Sequence, residues 1–390
     1  MPILTSNKST SIKPPLITAL QPEFNNLKVA IVHDYLNQFG GQERVLLNLL
    51  ELFPNAPVYT LIYDKKVLNK HLNGTKVYTS ILDNPLVRKY HRLFIPLLGH
   101  AAQTINLKDE YDLIITNTMG FVKGARHSRG INIAYNHAPL RYAWEPHTYL
   151  QDMFPKFMIY AGMPAIYYVR WQDKRFSQKP DYMLANSQYI AGKLKKFYGR
   201  DASVIYPSIE DHIFNYDPEV KREDYFIAFG RMIHYKKFPL IVEAFKRNGL
   251  SLKVVGSGPD EVAVRKAARG ASNIQILPFM ETQQLRDIVR KARATIVPQL
   301  EDFGLTTVES IACGTPVIGY DQGGTAEIVQ DGQNGILFSN QTSQDINEAI
   351  QRFENTKFDP ELVAQSASRF SKEAFQEKFV DLIIDALKGK

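Results

Sequence analysis

The chain has 390 residues, 44% of them hydrophobic, a formal net charge of +7 and one cysteine, Cys313. That size and apolar content suffice for two buried cores, while a lone thiol excludes an intramolecular disulfide framework and makes a reducing, cytoplasmic compartment the simplest setting. The positive charge suits an acidic ligand or an anionic surface, but it is dispersed and forms no basic stripe with interleaved aromatics, which sets nucleic acid aside as a partner.

Residues 1–27 are rich in Ser, Thr, Pro and Asn, hold no apolar signal-peptide core and read as a loose tail. Lys28–His33 is a buried strand. Gly40 and Gly41 stand at its junction with a helix whose inner face is Val45, Leu46, Leu49, Leu50 and Phe53. The glycine pair is either a phosphate-facing turn or a tight packing turn. It is not the dinucleotide fingerprint G-x-G-x-x-G, because Gln42 and Glu43 follow and no third glycine arrives, so a Rossmann oxidoreductase is disfavoured.

Asn84–Lys108 contains no acid and mixes Arg88, Lys89, Arg92 and Lys108 with Leu86, Leu93 and Leu97. Met153–Pro180 sets Lys156, Arg170, Lys174, Arg175 and Lys179 against the single Asp173, with Tyr160, Tyr167, Tyr168 and Trp171 interleaved. Basic and apolar residues at helical spacing describe either helices lying on a membrane surface, at the inner face, or ordinary amphipathic helices of the domain. The longest apolar run, Phe157–Val169, contains Pro164 and is too short to cross a bilayer.

Strands Asp112–Asn117 and Ile131–Tyr135 follow, and the second runs into His137. That histidine stands just past a strand's C-terminal end, where parallel sheets bind ligands, although a histidine there also serves as a loop hydrogen-bonder. Tyr182–Asn186 is a strand, with Ser187 placed to cap the next helix. Ser203–Tyr206 and Pro207 mark a crossing into a second domain, with the boundary between 206 and 222. The second half restarts with strand Phe226–Phe229, Gly230-Arg231, and a helix Phe238–Lys246 preceded by Lys236-Lys237. Cations between a parallel strand and its helix form an anion site, unless they are only solvated surface charges. Leu252–Gly258 is the next strand and glycine turn, Ile274–Met280 a strand whose end could touch a ligand through its backbone, and Ser371–Leu387 an amphipathic helix.

Residues 294–324 are the most informative stretch. Ala294–Pro298 reads as a strand, Gln299–Phe303 as a loop, Gly304–Cys313 as a helix and Pro316–Gly319 as a second strand. Gly304 lets the backbone approach a ligand, Leu305, Thr306 and Thr307 offer first-turn amides that suit a phosphate, and Thr306 and Thr307 add hydroxyls. Gly314 ends the helix. Glu301 and Glu309 flank the same amides. They either favour the helix through its dipole or accept hydroxyl donors from a ribose and a sugar. No Cys/His cluster has zinc spacing and no D-x-D pair occurs, so no metal and no resident cofactor are expected, and cations with helix amides would have to neutralise a bound diphosphate.

The E-x7-E spacing of Glu301 and Glu309, together with FGLTT, the CGTPVI helix end and the Gly323-Gly324 turn, resembles family 4 of the retaining glycosyltransferases of the GT-B superfamily. The resemblance covers nearly the whole chain beyond residue 27. It implies an α/β fold of two Rossmann-like domains facing each other across a cleft: an acceptor-side domain over 28–206, joined by the final helix over 371–390, and a nucleotide-sugar domain over 207–370. It implies Arg231 and Lys236, with Lys237 as a rival, on the donor diphosphate, and Gly40 and Gly41 facing the donor's phosphate. Phe303, Gly304, Leu305, Thr306 and Thr307 would line the donor, Glu309 would hold the ribose and Glu301 the sugar, and Pro278, Phe279 and Met280 would meet the base. His137 would reach the sugar from the opposite domain, with Arg141, Tyr142 and Trp144 either shaping the acceptor side or anchoring the loop. The implied activity is metal-independent hexosyl transfer from a nucleotide-diphosphate sugar of the UDP-glucose or GDP-mannose type to a glycan or lipid-linked glycan in cell-surface or exopolysaccharide synthesis. A GT-B sugar-nucleotide 2-epimerase and a non-catalytic sugar-nucleotide-binding protein are the alternatives.

Overall fold

A computed structural model describes residues 26–69, 71–107, 110–127, 129–151 and 154–389. Most of the tail read over 1–27 therefore lies outside the described residues, as do Lys108 and Met153 of the basic segments.

Two sheets organise the chain. The first has seven strands, β1 (Val29–Leu36), β2 (Val58–Tyr63), β3 (Val77–Thr79), β4 (Leu113–Thr118), β5 (Ile131–Asn136), β6 (Tyr182–Ala185) and β7 (Ser203–Val204), in the order β3-β2-β1-β4-β5-β6-β7. The second has β8 (Phe226–Phe229), β9 (Leu252–Val255), β10 (Ile274–Leu277), β11 (Thr295–Val297), β12 (Val317–Tyr320) and β13 (Gly335–Phe338), in the order β10-β9-β8-β11-β12-β13. Every pairing is parallel. Central strands such as β4, β5 and β8 are buried throughout, as expected of strands covered by helices on both faces.

Both orders reverse direction once, between β1 and β4 in the first sheet and between β8 and β11 in the second. In open parallel sheets the crevice at the carboxyl ends of such a pair of strands is where ligands bind. Each sheet is thus a Rossmann-like unit with its own crevice.

β1 runs on to Leu36 rather than stopping at His33, because Tyr35 and Leu36 pair with Ile62 and Tyr63 of β2. His33 and Asp34 are thereby sealed inside the sheet. The basic stretch after residue 84 forms helices Pro85–Tyr90 and Ile95–Thr104 with a 3-10 turn between them. The later one forms Lys156–Ala161 and Met163–Phe176, broken at Gly162 with Pro164 in the new first turn. Among the described residues no helix is long and apolar enough to cross a membrane. The last helix, Lys372–Lys388, starts at the Ser371 cap beside the second domain but sends Phe375, Phe379, Val380 and Ile383 into the core under β1, β4 and β5.

Candidate functional site

The carboxyl ends of β1, β4 and β5 build one wall. Asn117 on β4 lies in register with His33 on β1, and its amide nitrogen is 3.1 Å from His33 Nδ1 and donates to Gln42 O at 3.1 Å. Its Oδ1 sits 2.6 Å from His137 Nε2. With Oδ1 accepting, His137 carries its proton on Nε2 and keeps Nδ1 as an acceptor. Burial, and then the charges of His33 and Arg141, push the His137 imidazole down to about 3, so it is neutral at physiological pH. At the far end of the chain of contacts, His33 Nε2 is 3.5 Å from Glu43 Oε1. His137 therefore terminates a buried polar relay from the Gly40-Gly41 turn.

That turn leads into helix Gly41–Leu52 and touches the second domain: a Cβ on Gly41 would lie 2.8 Å from Leu305 Cδ1. Arg44, one turn further, reaches across the cleft, its Nη1 2.7 Å from Glu309 Oε1 and its Nη2 3.1 Å from Glu210. Burial raises the Glu309 carboxyl above its ordinary range, and the pull of Arg44 does not cancel it.

The ends of β8, β9 and β11 build the facing wall. A Cβ on Gly256 would meet Gly230 O at 2.0 Å and one on Gly258 would meet Met232 O at 2.3 Å, so the two loops lie backbone on backbone. Gly256, Gly258, Arg231, Phe279, Met280 and, from the first domain, Phe39 border a cavity of about 490 Å³. Pro278 lies outside its lining. Arg231 is exposed and makes no hydrogen bond or ion pair among the described residues. Lys236 Nζ is 3.2 Å from Glu301 Oε1 and packs under Gly230. Burial works to lower its pKa, but Glu301 and, farther off, Glu309 outweigh it and hold it above the ordinary value. Lys237 has no such partner and supplies the turn instead, with φ 54°, the one positive φ outside glycine among the described residues.

Glu301 also accepts from Gln299 Nε2 at 2.8 Å. Gly304, at φ 105°, caps helix Leu305–Ala312. Two expectations for this segment change. The Thr307 amide donates to Gly304 O at 2.9 Å, and its wholly buried side chain lies 3.4 Å from Thr325 Oγ1, so only Leu305 and Thr306 offer amides without a partner among the described residues. Phe303 is packed between Tyr206 and Phe370 and turns its ring to the core.

The intervening Asp302, marked by no sequence motif, ties into the first domain at three points. It accepts from Arg141 and lies 3.6 Å from Lys193, while its carbonyl accepts from Ser187 Oγ at 2.5 Å. Glu327 caps helix Gln188–Tyr198 from across the cleft, accepting from the amides of Gln188 and Tyr189 at 2.8 and 2.7 Å. Trp144 anchors its loop, bonding Asp173 at 2.8 Å and stacking on Phe197. Among the described residues no group of three or more His, Cys, Asp or Glu side chains is placed to hold a metal ion. Arg44, Asn117, Asp302 and Glu327 escaped sequence reasoning, and only Arg44, one turn past the glycine pair, carried a positional hint.

Comparison with known proteins places the chain by family and fold. Residues 210–387 match the family described as glycosyl transferases group 1, and residues 39–212 match glycosyltransferase family 4. An uncharacterized glycosyltransferase of Methanocaldococcus jannaschii is 26% identical over 54% of this chain and 60% of its own length. The O-antigen chain mannosyltransferase C of Escherichia coli is 28% identical over 55% of this chain and 61% of its own. The chain thus spans about three-fifths of these relatives. Among solved structures, sucrose-phosphate synthase from Thermosynechococcus elongatus superposes with TM-score 0.68 at 16% identity, covering 93% of this chain and 100% of that one. Anabaena HepE in complex with UDP-glucose gives 0.67 at 19%, covering 92% and 100%. These likenesses establish the fold.

Proposed function

The chain belongs to the family 4 glycosyltransferases of the GT-B fold, and on that premise we propose that it moves a hexose from a nucleotide-diphosphate sugar to a hydroxyl of a glycan or lipid-linked glycan, with retention at the anomeric carbon. The observation that carries this reading is the convergence of Lys236, Glu301, Glu309 and the Leu305 and Thr306 amides from one sheet with the glycine turn and His137 from the other.

In this reading the base occupies the cavity beneath Phe39. Arg231, Lys236 and the two amides hold the diphosphate, where negative charge grows as the sugar–oxygen bond breaks. Lys236 stays cationic in that role because Glu301 supports it. Glu309 takes the ribose hydroxyls, exchanging Arg44 for them while Glu210 keeps the guanidinium compensated. Glu301 takes sugar hydroxyls, and neutral His137 accepts from the sugar through Nδ1 without adding a charge. With no side chain among the described residues taken as a covalent nucleophile, attack comes from the face the diphosphate leaves, and the departing phosphate oxygen takes the acceptor's proton. Trapping a glycosyl-enzyme adduct would contradict that step.

A UDP-glucose or GDP-mannose type of donor is supported by the UDP-glucose bound to HepE and by the mannosyltransferase relative, whose O-antigen role also supports cell-surface polysaccharide synthesis. The deciding experiment is calorimetry and thermal shift with UDP, GDP, ADP and their hexose conjugates on wild type and Glu309→Ala. One nucleotide should stabilise the wild type and lose that effect in the variant; binding unaffected by the substitution would refute the site. Incubation with donor alone should yield no 2-epimer. Transfer that persists in excess EDTA is the outcome expected of metal-independent chemistry, and a rate restored only by added divalent ion would overturn it.

A further inference from the structure

The first domain carries a face that the donor site does not use. Helix Ile95–Thr104 packs on helix Met163–Phe176, and His100 Nε2 and Tyr168 Oη are 2.7 Å apart across the contact. Two segments distant in sequence thereby become one surface. Their inner sides are filled by Leu98, Ala101, Ala102 and Val169, which belong to a buried cluster. Outward on these helices Leu97, Tyr167 and Trp171 are exposed, Trp171 by 56%, and on the 3-10 turn His91–Phe94 and the helix Lys156–Ala161 that abut them Leu93 is 68% exposed and Phe157 72%, with Tyr160 close to both in exposure.

Among the described residues of the two segments, 85–107 and 154–180, the exposed charges have one sign. Lys89, Lys156, Lys174 and Arg175 are exposed, and the Arg175 guanidinium lies 5.6 Å over the Trp171 ring. Asp173, the one acid between residues 154 and 180, is wholly buried 3.2 Å from Lys123, so it subtracts nothing from the surface charge. Monomers seldom expose aromatic residues in such a group, and Trp and Tyr flanked by Lys and Arg match the chemistry of the headgroup region, where a ring has an apolar and a wet side and cations meet phosphates.

We propose that this face docks the protein on an anionic lipid bilayer. The face is also wired to the cleft: Arg170 donates twice to Ala143 O, at 3.1 and 2.8 Å, within the turn whose Arg141 bonds Asp302. Docking would therefore set the acceptor side of the cleft beside the membrane, a consequence that rests on the lipid-linked acceptor proposed above. The docking itself does not depend on that reading.

The test is co-sedimentation of the full chain with vesicles of phosphatidylcholine alone or mixed with phosphatidylglycerol, without any sugar nucleotide. Wild type should bind the mixed vesicles at least about tenfold better than the neutral ones and release in high salt, since each surface cation is worth about fivefold. Phe157→Ser/Trp171→Ser and Lys174→Glu/Arg175→Glu should each lose most of that binding, while the melting temperature and the nucleotide-induced shift stay as in wild type. Failure of the wild type to sediment with anionic vesicles overturns the proposal. So does a stable dimer in light scattering that the same substitutions dissociate, because the face would then belong to a second copy. Loss of nucleotide binding in an otherwise lipid-binding wild type would strike only the donor site.

Discussion

On the second-sheet side of the cleft the wall is backbone. A Cβ on Gly324 would lie 1.9 Å from Phe303 O, one on Gly323 2.4 Å from Glu301 O, and one on Gly256 2.0 Å from Gly230 O. On the first-sheet side the wall is side chains, His33, Asn117 and His137 linked through hydrogen bonds inside the sheet. Close backbone contact gives amides and cations a fixed geometry that does not relax, which suits a highly charged leaving group. A side-chain relay gives one neutral acceptor whose proton position is set by its neighbours. The two walls should therefore respond to different insults.

The largest effect is expected at Lys236. Lys236→Ala should lower kcat by about 10²–10³, the usual cost of one preorganised donor to a developing anion, with the fold intact. A loss below tenfold would move the diphosphate contact elsewhere. Gly256→Ala breaks the same wall through the backbone, at φ 145° and against Gly230 O, and should cost about 3 kcal/mol, read as an earlier denaturant midpoint.

The relay wall should announce itself through pH. The His137 imidazole titrates near 3 when folded, while an unfolded histidine titrates near 6.5. Between those values the unfolded chain binds the extra proton, so stability present above about pH 6.5 is lost as the pH falls, by about 2 kcal/mol at pH 5. Denaturant melts at pH 7 and 5 should show that much less acid destabilisation in His137→Gln. The smallest effect separates the adjacent lysines. Lys237 pays the cost of a left-handed conformation, so Lys237→Gly should stabilise the fold by about 0.5 kcal/mol and leave kcat near wild type, whereas a donor-binding Lys237 would lose activity.

The same contrast explains what was legible in the sequence. Gly230-Arg231, the Lys236-Lys237 pair and the Glu301–Glu309 segment lie in short runs at a strand end or helix start, which mark them as candidates, and the family resemblance is what assigns their roles. The relay is assembled only by register: Asn117 meets His33 and His137 because β4 lies between β1 and β5. Arg44 finds Glu309 from 265 residues away. No local pattern announces either. Strands β2 and β3 were missed for a related reason, since Val58–Tyr63 is a short apolar run without periodicity and Val77–Thr79 is a three-residue edge with Tyr78 outside. Thr307 was misjudged because a hydroxyl in a helix's first turn looks available until its neighbour, Thr325, is placed against it.

The helix Lys372–Lys388 has a consequence for the order in which the protein can be made. Tyr135, wholly buried in the first domain, packs its ring against Phe375 and Phe379, and its hydroxyl bonds Ile205 O at 2.8 Å. Until residues 372–388 leave the ribosome, the first half of the nascent chain has an open hydrophobic floor, although every strand of its own sheet was synthesised long before. The second domain meets no such delay. During translation the core of the half made earlier is therefore completed only by residues 372–388, after the half made later has been synthesised.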